Sequence, residues 1–394
     1  MNYTDSFFWN LLFIILYLTF ICVLIIRYRF VSIHLFTSAS IKSILLFIHL
    51  NYFRMPGSSN DAYSFFLTAA ELSTNDPFFN FIGLSSYFYS WFWSIVFSIT
   101  IPSELLMSLA SICVSLLIIV VSYKIFEKIV SNRKASLFTW ILVLYPSLNL
   151  YSVLTMREVY ITFFVGILIY QLLFSINKKF NPKIFFVSLI LTFLHGGFLI
   201  LFLIYIIYTM YLYFKNITKA KDFLLFSSTF LLIFLLLFSF FNLDLTLPKL
   251  RSADKLFDSE TQIYYLSKKI DNENAGAVYP QFLKPGTTAD LFLLAPVRFI
   301  YFIGSPFPWD VRSMLHLIGL IDGAFFMFIF SSFLFNTPSY KRSHPAIRLF
   351  FLFLPVLIAF LYGTSNFGTA QRHRLKFIIL FLSLFIFKNS ERAK

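Results

Sequence analysis

GTAQRHRLK, residues 368–376, leads directly into the apolar stretch 377–387, and the two together decide the fold. A membrane-spanning helix needs about 20 residues, because it rises about 1.5 Å per residue across a hydrocarbon layer about 30 Å thick. The apolar stretch alone is too short, so the last helix must also contain Arg372, His373 and Arg374. Charges at membrane depth are costly and persist only where the protein interior or a watery cavity receives them. We therefore expect chemistry beside this helix.

The composition is that of a membrane protein. Of 394 residues, 59% are hydrophobic and 13% are charged, whereas an ordinary soluble domain carries about 25% charge. Successive apolar helices pack on one another in lipid, so we expect one transmembrane helical bundle over residues 1–394. The fold class is predicted as all-α, a polytopic helical membrane protein with about 10–11 transmembrane helices.

The positive charge of the chain marks its cytoplasmic loops. A formal net charge of +14 would suggest a nucleic-acid partner in a soluble protein, but here Lys and Arg cluster in short loops between apolar stretches. We therefore predict no nucleic-acid partner and a chain surrounded by membrane lipids. Residues 7–26 read as a first span, and Arg27 and Arg29 after it place the N-terminus outside. No basic segment precedes this span, so we expect no cleaved signal peptide.

The same predicted membrane topology implies two turns. Residues 185–214 lie between two basic loops, so they must form two short helices, with a break at His195-Gly196-Gly197. Residues 137–151 lead outward and residues 159–176 return, which predicts an outer turn at 146–158.

The region before the second basic loop has two alternative topologies. It contains an odd number of apolar segments, so one of them cannot cross the membrane. An aromatic belt around Trp91 favours an interfacial position for residues 81–100. Lys42, in the middle of residues 33–52, favours an interfacial position for that segment instead.

A long polar segment interrupts the apolar pattern. Residues 244–290 hold seven of the chain's 18 acidic residues and are predicted to form a periplasmic loop. Tyr264, Tyr265 and Tyr279 are available there to line a polar ligand. Residues 291–312 begin with an apolar stretch that is too short to span and contains Arg298, which predicts a re-entrant or interfacial segment.

Arginines gather on the outer side of the predicted topology, where anchoring to the cytoplasm does not explain them. Arginine stays charged and binds phosphate oxygens through a planar fork of donors. A lipid-linked phosphate or pyrophosphate therefore suits such a group of arginines at membrane depth. The six predicted ligands are Arg54, Arg157, Arg298, Arg312, Arg372 and Arg374.

Structural explanations compete with this interpretation for single residues. Arg157 is able to pair with Glu158, and Arg312 with an acid two positions earlier. Asp322 lies inside an apolar span and needs a buried partner, for which Arg372 and Arg374 are the candidates. His195, at the helix break, is a candidate proton acceptor or a hydrogen-bonded structural residue.

The signatures of soluble phosphate enzymes are missing from the sequence. It contains no Gly-rich phosphate loop, no Cys or His cluster at zinc spacing and no kinase motifs. Cys22 and Cys113 lie in apolar stretches and predict neither a disulfide nor a metal site. A pyrophosphate is already a good leaving group that arginine can stabilise, so we predict chemistry without a metal or other cofactor.

Four local patterns resemble, in this order, the polymerases of lipid-linked oligosaccharides that build bacterial surface polysaccharides. This group includes the O-antigen polymerase (Wzy) family. The patterns are RMPGSSNDAY at residues 54–63, YPS at 145–147 leading to MRE at 156–158, FLHGG at 193–197 and QRHR at 371–374. Together with the length and the number of spans, they cover the whole chain.

The resemblance implies a reaction at the periplasmic face of a bacterial inner membrane. A growing glycan would be transferred from undecaprenyl pyrophosphate to the sugar of the next lipid-linked repeat unit, and a chain-length regulator protein is a candidate partner. Arg157, Arg372 and Arg374 would hold pyrophosphate. His195 is then a candidate base for the acceptor hydroxyl, and Asp61 either orients a sugar or is that base instead. Glu158, Asp322 and His373 would support the site.

Two other functions remain open from the sequence. A membrane-embedded transferase with a polyprenyl-phosphate sugar donor also places an acid in its first outer loop, as Asp61 does. The long outer loop and the many arginines favour the polymerase. A flippase for lipid-linked oligosaccharides would usually show two related halves, and the sequence shows no internal repeat.

Overall fold

Helices make up nearly all of the structure. The computed structural model describes residues 3–74, 86–174, 181–216, 270, 277–312, 314–335 and 345–391. In these ranges there is no β-strand, and a single isolated bridge joins Val278 to Asn366. The predicted all-α class is confirmed for this part of the chain.

The helices are numbered here in chain order. They are α1, Tyr3–Arg27; α2, Ser32–Asn51; α3, Tyr63–Ser73; α4, Ser86–Ile99; α5, Glu104–Ile129; α6, Asn132–Leu144; α7, Pro146–Val153; α8, Glu158–Phe174; α9, Pro182–Leu194; α10, Leu199–Asn216; α11, Thr288–Leu293; α12, Ala295–Gly304; α13, Met314–Phe335; α14, Pro345–Tyr362; and α15, Phe367–Glu391.

Five described helices are long and apolar enough to cross a membrane. They are α1, α2, α5, α13 and α14, and the bent pair α6–α7 makes a sixth span if it is counted as one. α1 and α2 also expose large apolar side chains along their outer sides, among them Leu16, Phe36 and Phe47. Such surfaces fit a lipid environment better than water. The chain is therefore a multi-pass helical membrane protein, and the predicted number of about 10–11 spans stays a prediction.

Helix length distinguishes the two topologies predicted for residues 33–52 and 81–100. The segment Arg29–Asn51 passes as a span, whereas α4 has 14 residues, fewer than the roughly 20 that a span needs. Phe65, Tyr89 and Trp93 form part of a separate small apolar cluster between α3, α4 and α5. This arrangement favours the interfacial interpretation of the α4 region.

Pro146 breaks the outward segment at residues 137–151. The residue before a proline is disfavoured in helical conformation, and Tyr145 accordingly has ψ 116°. α6 and α7 meet there at a bend of 52°. The side chains of α7 are buried from Ser147 to Val153, so the outer turn expected at 146–158 begins instead as a helix inside the protein.

The predicted break at His195 is present. α9 starts at Pro182, after Asn181 has capped it through the backbone N–H of Lys183 at 3.0 Å, and it ends at Leu194. Gly196–Phe198 then form a single 3₁₀ turn before α10. Two short helices replace one long helix, as the positions of the basic loops require.

The polar segment and its apolar continuation are only partly described. Of residues 244–290, the structure covers 270 and 277–290, so Tyr264 and Tyr265 lie outside the described residues. Tyr279 is buried rather than exposed to a ligand. Residues 291–312 contain the end of α11, the 10-residue α12 and a short 3₁₀ turn, none of which is long enough to cross a membrane.

Helix directions bring the candidate site residues to one end of the bundle. The end of α2 meets the start of α5 where His49 contacts Glu104, and the end of α9 meets the start of α8 where Arg157 contacts the carbonyl of Leu194. The first turns of α15 lie at the same end, because His373 contacts His195. Contacts of Phe30 with Tyr123 mark the opposite end. We call the end of the bundle that carries Glu104 and Arg157 the arginine end. The opposite end carries Arg27, Arg29, Lys124, Lys128, Arg133 and Lys134.

α13 packs against the end of α12 at a glycine. A Cβ atom built on Gly323 would lie 2.1 Å from the carbonyl oxygen of Gly304, far inside contact distance with a backbone atom that cannot rotate away. The close approach matters for the site, because α12 and α13 both contact α15 next to Arg374. Only glycine allows it.

Gly323→Ala is expected to lower stability by about 1–3 kcal/mol, because the added methyl group separates α12 from α13. Thermal unfolding of the protein purified in detergent measures the effect. Gly196→Ala is the matched control, since no atom lies within 4 Å of a Cβ at Gly196. Equal melting temperatures for the two variants would contradict the packing described here.

Candidate functional site

Asp61 and Arg372 join the first loop to the last helix. Arg372, in the second turn of α15, donates a hydrogen bond from Nη1 to the Asp61 carboxylate. Asp61 lies in the short turn Ser58–Ala62, which follows Gly57 with its φ of 86°, a value that favours glycine. Both side chains are partly exposed, at 22% for Arg372 and 50% for Asp61. A ligand can therefore reach this pair from solvent.

Arg157 is buried near this pair, since its charge interacts with both Arg372 and Asp61. Its Nη1 donates to the carbonyl oxygen of Leu194 at 2.8 Å, and its guanidinium lies 5.7 Å from the ring centre of Phe65. The carbonyl at the end of α9 thus holds the arginine at the start of α8. The charge of the adjacent Glu158 also acts on Arg157, and the predicted ion pair between the two stays a prediction.

His195 and His373 meet around one phenylalanine. The ring of His195 stacks on Phe360 at 4.5 Å with an angle of 28°, and the ring of His373 meets the same phenylalanine edge-on at 4.5 Å. The two imidazoles lie 5.6 Å apart. The backbone N–H of Gly197 donates to Nδ1 of His195 at 3.2 Å. His195 is thus fixed by its own turn and by α14.

Lys376 is completely buried one turn after His373. Its Nζ lies 2.9 Å from Nδ1 of His373, 3.9 Å from Oε1 of Glu158 and 4.9 Å from the ring centre of Phe360. Glu158 is also buried, and its Oε2 has no hydrogen-bond partner among the described residues. Lys376 therefore contacts both Glu158, at the start of α8, and His373, on its own helix.

Arg374 forms the expected buried pair with Asp322. Its Nε donates to Oδ2 of Asp322 at 2.8 Å, and both side chains have 0% exposure. Its Nη1 donates to the carbonyl oxygens of Phe302 and Ile303 at 3.1 and 3.2 Å. Ser147 donates to the other oxygen of Asp322 at 2.9 Å. These contacts favour a structural role for Arg374 over the predicted binding of pyrophosphate.

Arg298 has a similar structural environment. It is buried, with Nη1 on the carbonyl oxygen of Leu283 at 3.1 Å and Nη2 on that of Thr364 at 2.9 Å. These bonds hold the segment before α11 against the end of α14. The fork that was predicted to bind phosphate is already occupied by the backbone.

Arg54 and Arg312 lie apart from the other arginines. Arg54 is 57% exposed and pairs with Glu104, which also contacts His49; the hydrogen bond to Glu104 raises the pKa of Arg54. Arg312 is exposed, and its backbone N–H donates to Nδ1 of His316 at 3.1 Å. In the described structure neither guanidinium contacts Asp61 or Arg372. The six arginines share one end of the bundle without forming one pocket.

The residues that the structure brings together form a smaller group, which we call the polar cluster. Its basic side chains outnumber its carboxylates, and it is only partly open to solvent, so an anion would be favoured there. No group of three or more potential metal ligands occurs within the described ranges. The polar cluster consists of Asp61, Arg157, Glu158, His195, Arg372, His373 and Lys376.

The chain was compared with protein-family models, curated proteins and solved structures. No protein-family model, no curated protein and no solved structure matches the chain. The polar cluster therefore has to be interpreted from its own geometry.

Sequence reasoning missed two members of this environment. Lys376 ends the polar stretch 368–376, and its position in an apolar helix, three residues after His373, indicates a buried charge beside that histidine. Phe360 gave no signal, because one phenylalanine among 56 carries no information before the fold is known.

Arg374→Met is expected to destabilise the protein by about 3–5 kcal/mol, because Asp322 would keep a buried charge without its partner. Arg54→Met removes an arginine from a largely exposed pair and should cost no more than about 1 kcal/mol. Thermal unfolding of the two purified variants makes the comparison. In the double variant Arg374→Met/Asp322→Leu most of the stability should return, and a loss of similar size for the two single variants would contradict the structural role.

Proposed function

We propose that the protein is an O-antigen polymerase. It would join undecaprenyl-pyrophosphate-linked oligosaccharide repeat units at the periplasmic face of the bacterial inner membrane. The growing glycan would pass from its lipid pyrophosphate to the incoming lipid-linked unit, which makes the enzyme a glycosyltransferase.

The observation that carries this proposal is the convergence of four distant sequence patterns. The loop at 54–63 meets the last helix through Asp61 and Arg372. The segment at 156–158 meets the break after α9 through Arg157, and that break meets the last helix through the rings of His195 and His373. Residues that the sequence marks as candidates for phosphate binding and proton transfer thus lie close together in the fold, although they are up to 311 positions apart in the sequence.

Arginine geometry suits a pyrophosphate ligand. Arg372 is partly exposed, and its guanidinium is held by a carboxylate that solvent also reaches. A bound pyrophosphate would compete with Asp61 for this guanidinium and would free the carboxylate. Arg157 would stabilise the charge that develops on the leaving pyrophosphate from its buried position behind Arg372. Arg54 and Arg312 remain candidates for outer contacts with the substrate.

The direction of the bundle supports a periplasmic site. The end opposite the polar cluster carries the basic loops, and such loops face the cytoplasm in inner-membrane proteins. The arginine end, with the polar cluster, would then face the periplasm. A chain-length regulator would reach the enzyme on that side. The acceptor hydroxyl would lose its proton to His195 or to Asp61.

Deletion of the gene in its host tests the function. We expect lipopolysaccharide that carries a single repeat unit on its core, because export and attachment continue without polymerisation. Gel electrophoresis of lipopolysaccharide shows the difference. Core without any repeat unit would contradict the proposal and would favour the flippase or the transferase with a polyprenyl-phosphate sugar donor.

Arg157→Ala and Arg372→Ala should each abolish the ladder of repeat units in the deletion strain, because each removes a guanidinium from the polar cluster. Arg133→Ala is the matched control, since this exposed arginine lies at the opposite end of the bundle and should support a normal ladder. Immunoblots establish equal protein levels. Normal ladders from the first two variants would exclude the proposed site.

A further inference from the structure

Arg298 is a buried cation that no carboxylate of the described residues neutralises. Its Nη1 and Nη2 donate to the carbonyl oxygens of Leu283 and Thr364, which satisfy part of its hydrogen-bonding capacity but none of its charge. The side chain has an exposure of only 1%. An arginine does not lose its proton in a protein, and an uncompensated buried charge is strongly unfavourable. A negative charge beside Arg298 would therefore be favoured.

Four buried donors without a hydrogen-bond partner among the described residues lie in this part of the fold. They are Nε of Arg298, Nη2 of Arg374 and the hydroxyl groups of Tyr279 and Ser305. Their side chains are at most 2% exposed, so bulk water does not satisfy them. Such buried donors are costly, and in native proteins they usually bind an ordered molecule or ion.

Tyr279 is the common neighbour of this group. Its phenol interacts with the hydroxyl of Ser305 and with the charges of Arg374 and Arg298. The backbone N–H of Tyr279 donates to the carbonyl oxygen of Ser365 at 3.1 Å, directly after the residue that accepts from Nη2 of Arg298. The four donors therefore gather where the segment 277–283 meets α12, the end of α14 and α15.

α12 and α15 hold the other two donors beside this tyrosine. Nη1 of Arg374 donates to the carbonyl oxygen of Ile303 at 3.2 Å, two residues before Ser305. The backbone N–H of Ser305 ends α12 on the carbonyl oxygen of Tyr301 at 2.9 Å, and the ring of Tyr301 lies 5.6 Å from that of Tyr279. Backbone contacts thus fix the positions of the donors independently of any ligand.

The neighbouring Arg374–Asp322 pair does not neutralise Arg298. Both oxygens of Asp322 already accept hydrogen bonds, one from Nε of Arg374 at 2.8 Å and the other from Ser147 at 2.9 Å. This pair is formally neutral. The group of four donors and Asp322 together therefore keeps the single positive charge of Arg298.

We propose that the four donors bind a small monovalent anion, for which chloride is the physiological candidate. A water molecule would accept hydrogen bonds there but would add no negative charge. A phosphate carried by a lipid would not reach donors that are at most 2% exposed, and an anion of higher charge would exceed the single charge of Arg298. The site does not depend on the proposed polymerase reaction, since none of its residues belongs to the polar cluster.

Thermal unfolding of the protein purified in detergent tests the site. Gluconate, which is too large for an enclosed site, is the reference anion, and chloride replaces it stepwise at constant ionic strength. A ligand that binds only the folded protein stabilises it with the logarithm of its concentration. We expect the melting temperature to rise by about 2 °C or more between about 1 and 100 mM chloride. Equal melting temperatures in gluconate and chloride would overturn the proposal.

Tyr279→Phe removes one donor and keeps the ring. Loss of a hydrogen bond to a charged group weakens binding about tenfold or more, so stabilisation should begin at a chloride concentration higher by that factor. Tyr89→Phe is the matched control, because Tyr89 is buried with no hydrogen-bond partner for its hydroxyl in the described ranges but lies in the cluster of α3, α4 and α5. The same chloride dependence in both variants would contradict the site.

Arg298→Met removes the charge itself and should abolish the chloride dependence. Arg372→Ala, in the polar cluster, should keep it, which distinguishes this site from an anion bound beside Arg372. If Arg298→Met does not fold, the comparison of Tyr279→Phe with Arg372→Ala decides. Loss of the dependence in Arg372→Ala but not in Tyr279→Phe would assign the anion to the polar cluster and overturn the proposal.

Discussion

A charge inside a lipid-embedded bundle must be matched by the protein, and the Arg374–Asp322 pair is the point at which this constraint shapes the structure. An isolated charge in such surroundings is costly, whereas a pair with further hydrogen bonds is tolerated. Arg374 binds Asp322 and two carbonyl oxygens of α12, and Ser147 of α7 donates a hydrogen bond to the second carboxylate oxygen of Asp322. One arginine of α15 thereby holds three helices, α7, α12 and α13, around α15.

Because the Arg374–Asp322 pair fixes α15, the two arginines of the stretch, Arg372 and Arg374, have different roles. On a helix, residues two positions apart point in different directions. Arg374 therefore faces α12 and α13, and Arg372 faces the loop that carries Asp61. The pair at Arg374 holds the helix in place while the pair at Arg372 stays open to solvent. A stable scaffold and an accessible site are thus built from the same short stretch.

The sequence predicted the parts of the fold that depend on length and charge. The last helix includes its polar stretch and α9 ends just before His195, because both features follow from the thickness of the membrane and the positions of basic loops. It did not separate the arginines that bind backbone from those that remain available. Arg298 and Arg372 both lie on the outer side of the predicted topology, and only tertiary contacts show that Arg298 donates to the backbone of Leu283 and Thr364 whereas Arg372 is partly exposed.

The polar cluster also divides into fixed and accessible parts. Arg157 and His195 are tied to backbone groups at the end of α9, so their positions follow from the helix break itself. Asp61 and Arg372 hold each other and are reached by solvent. An anion bound to Arg372 would compete with Asp61, whereas the backbone contacts of Arg157 and His195 would remain. Under the proposed function, binding of the lipid pyrophosphate to Arg372 would thus also release the Asp61 carboxylate.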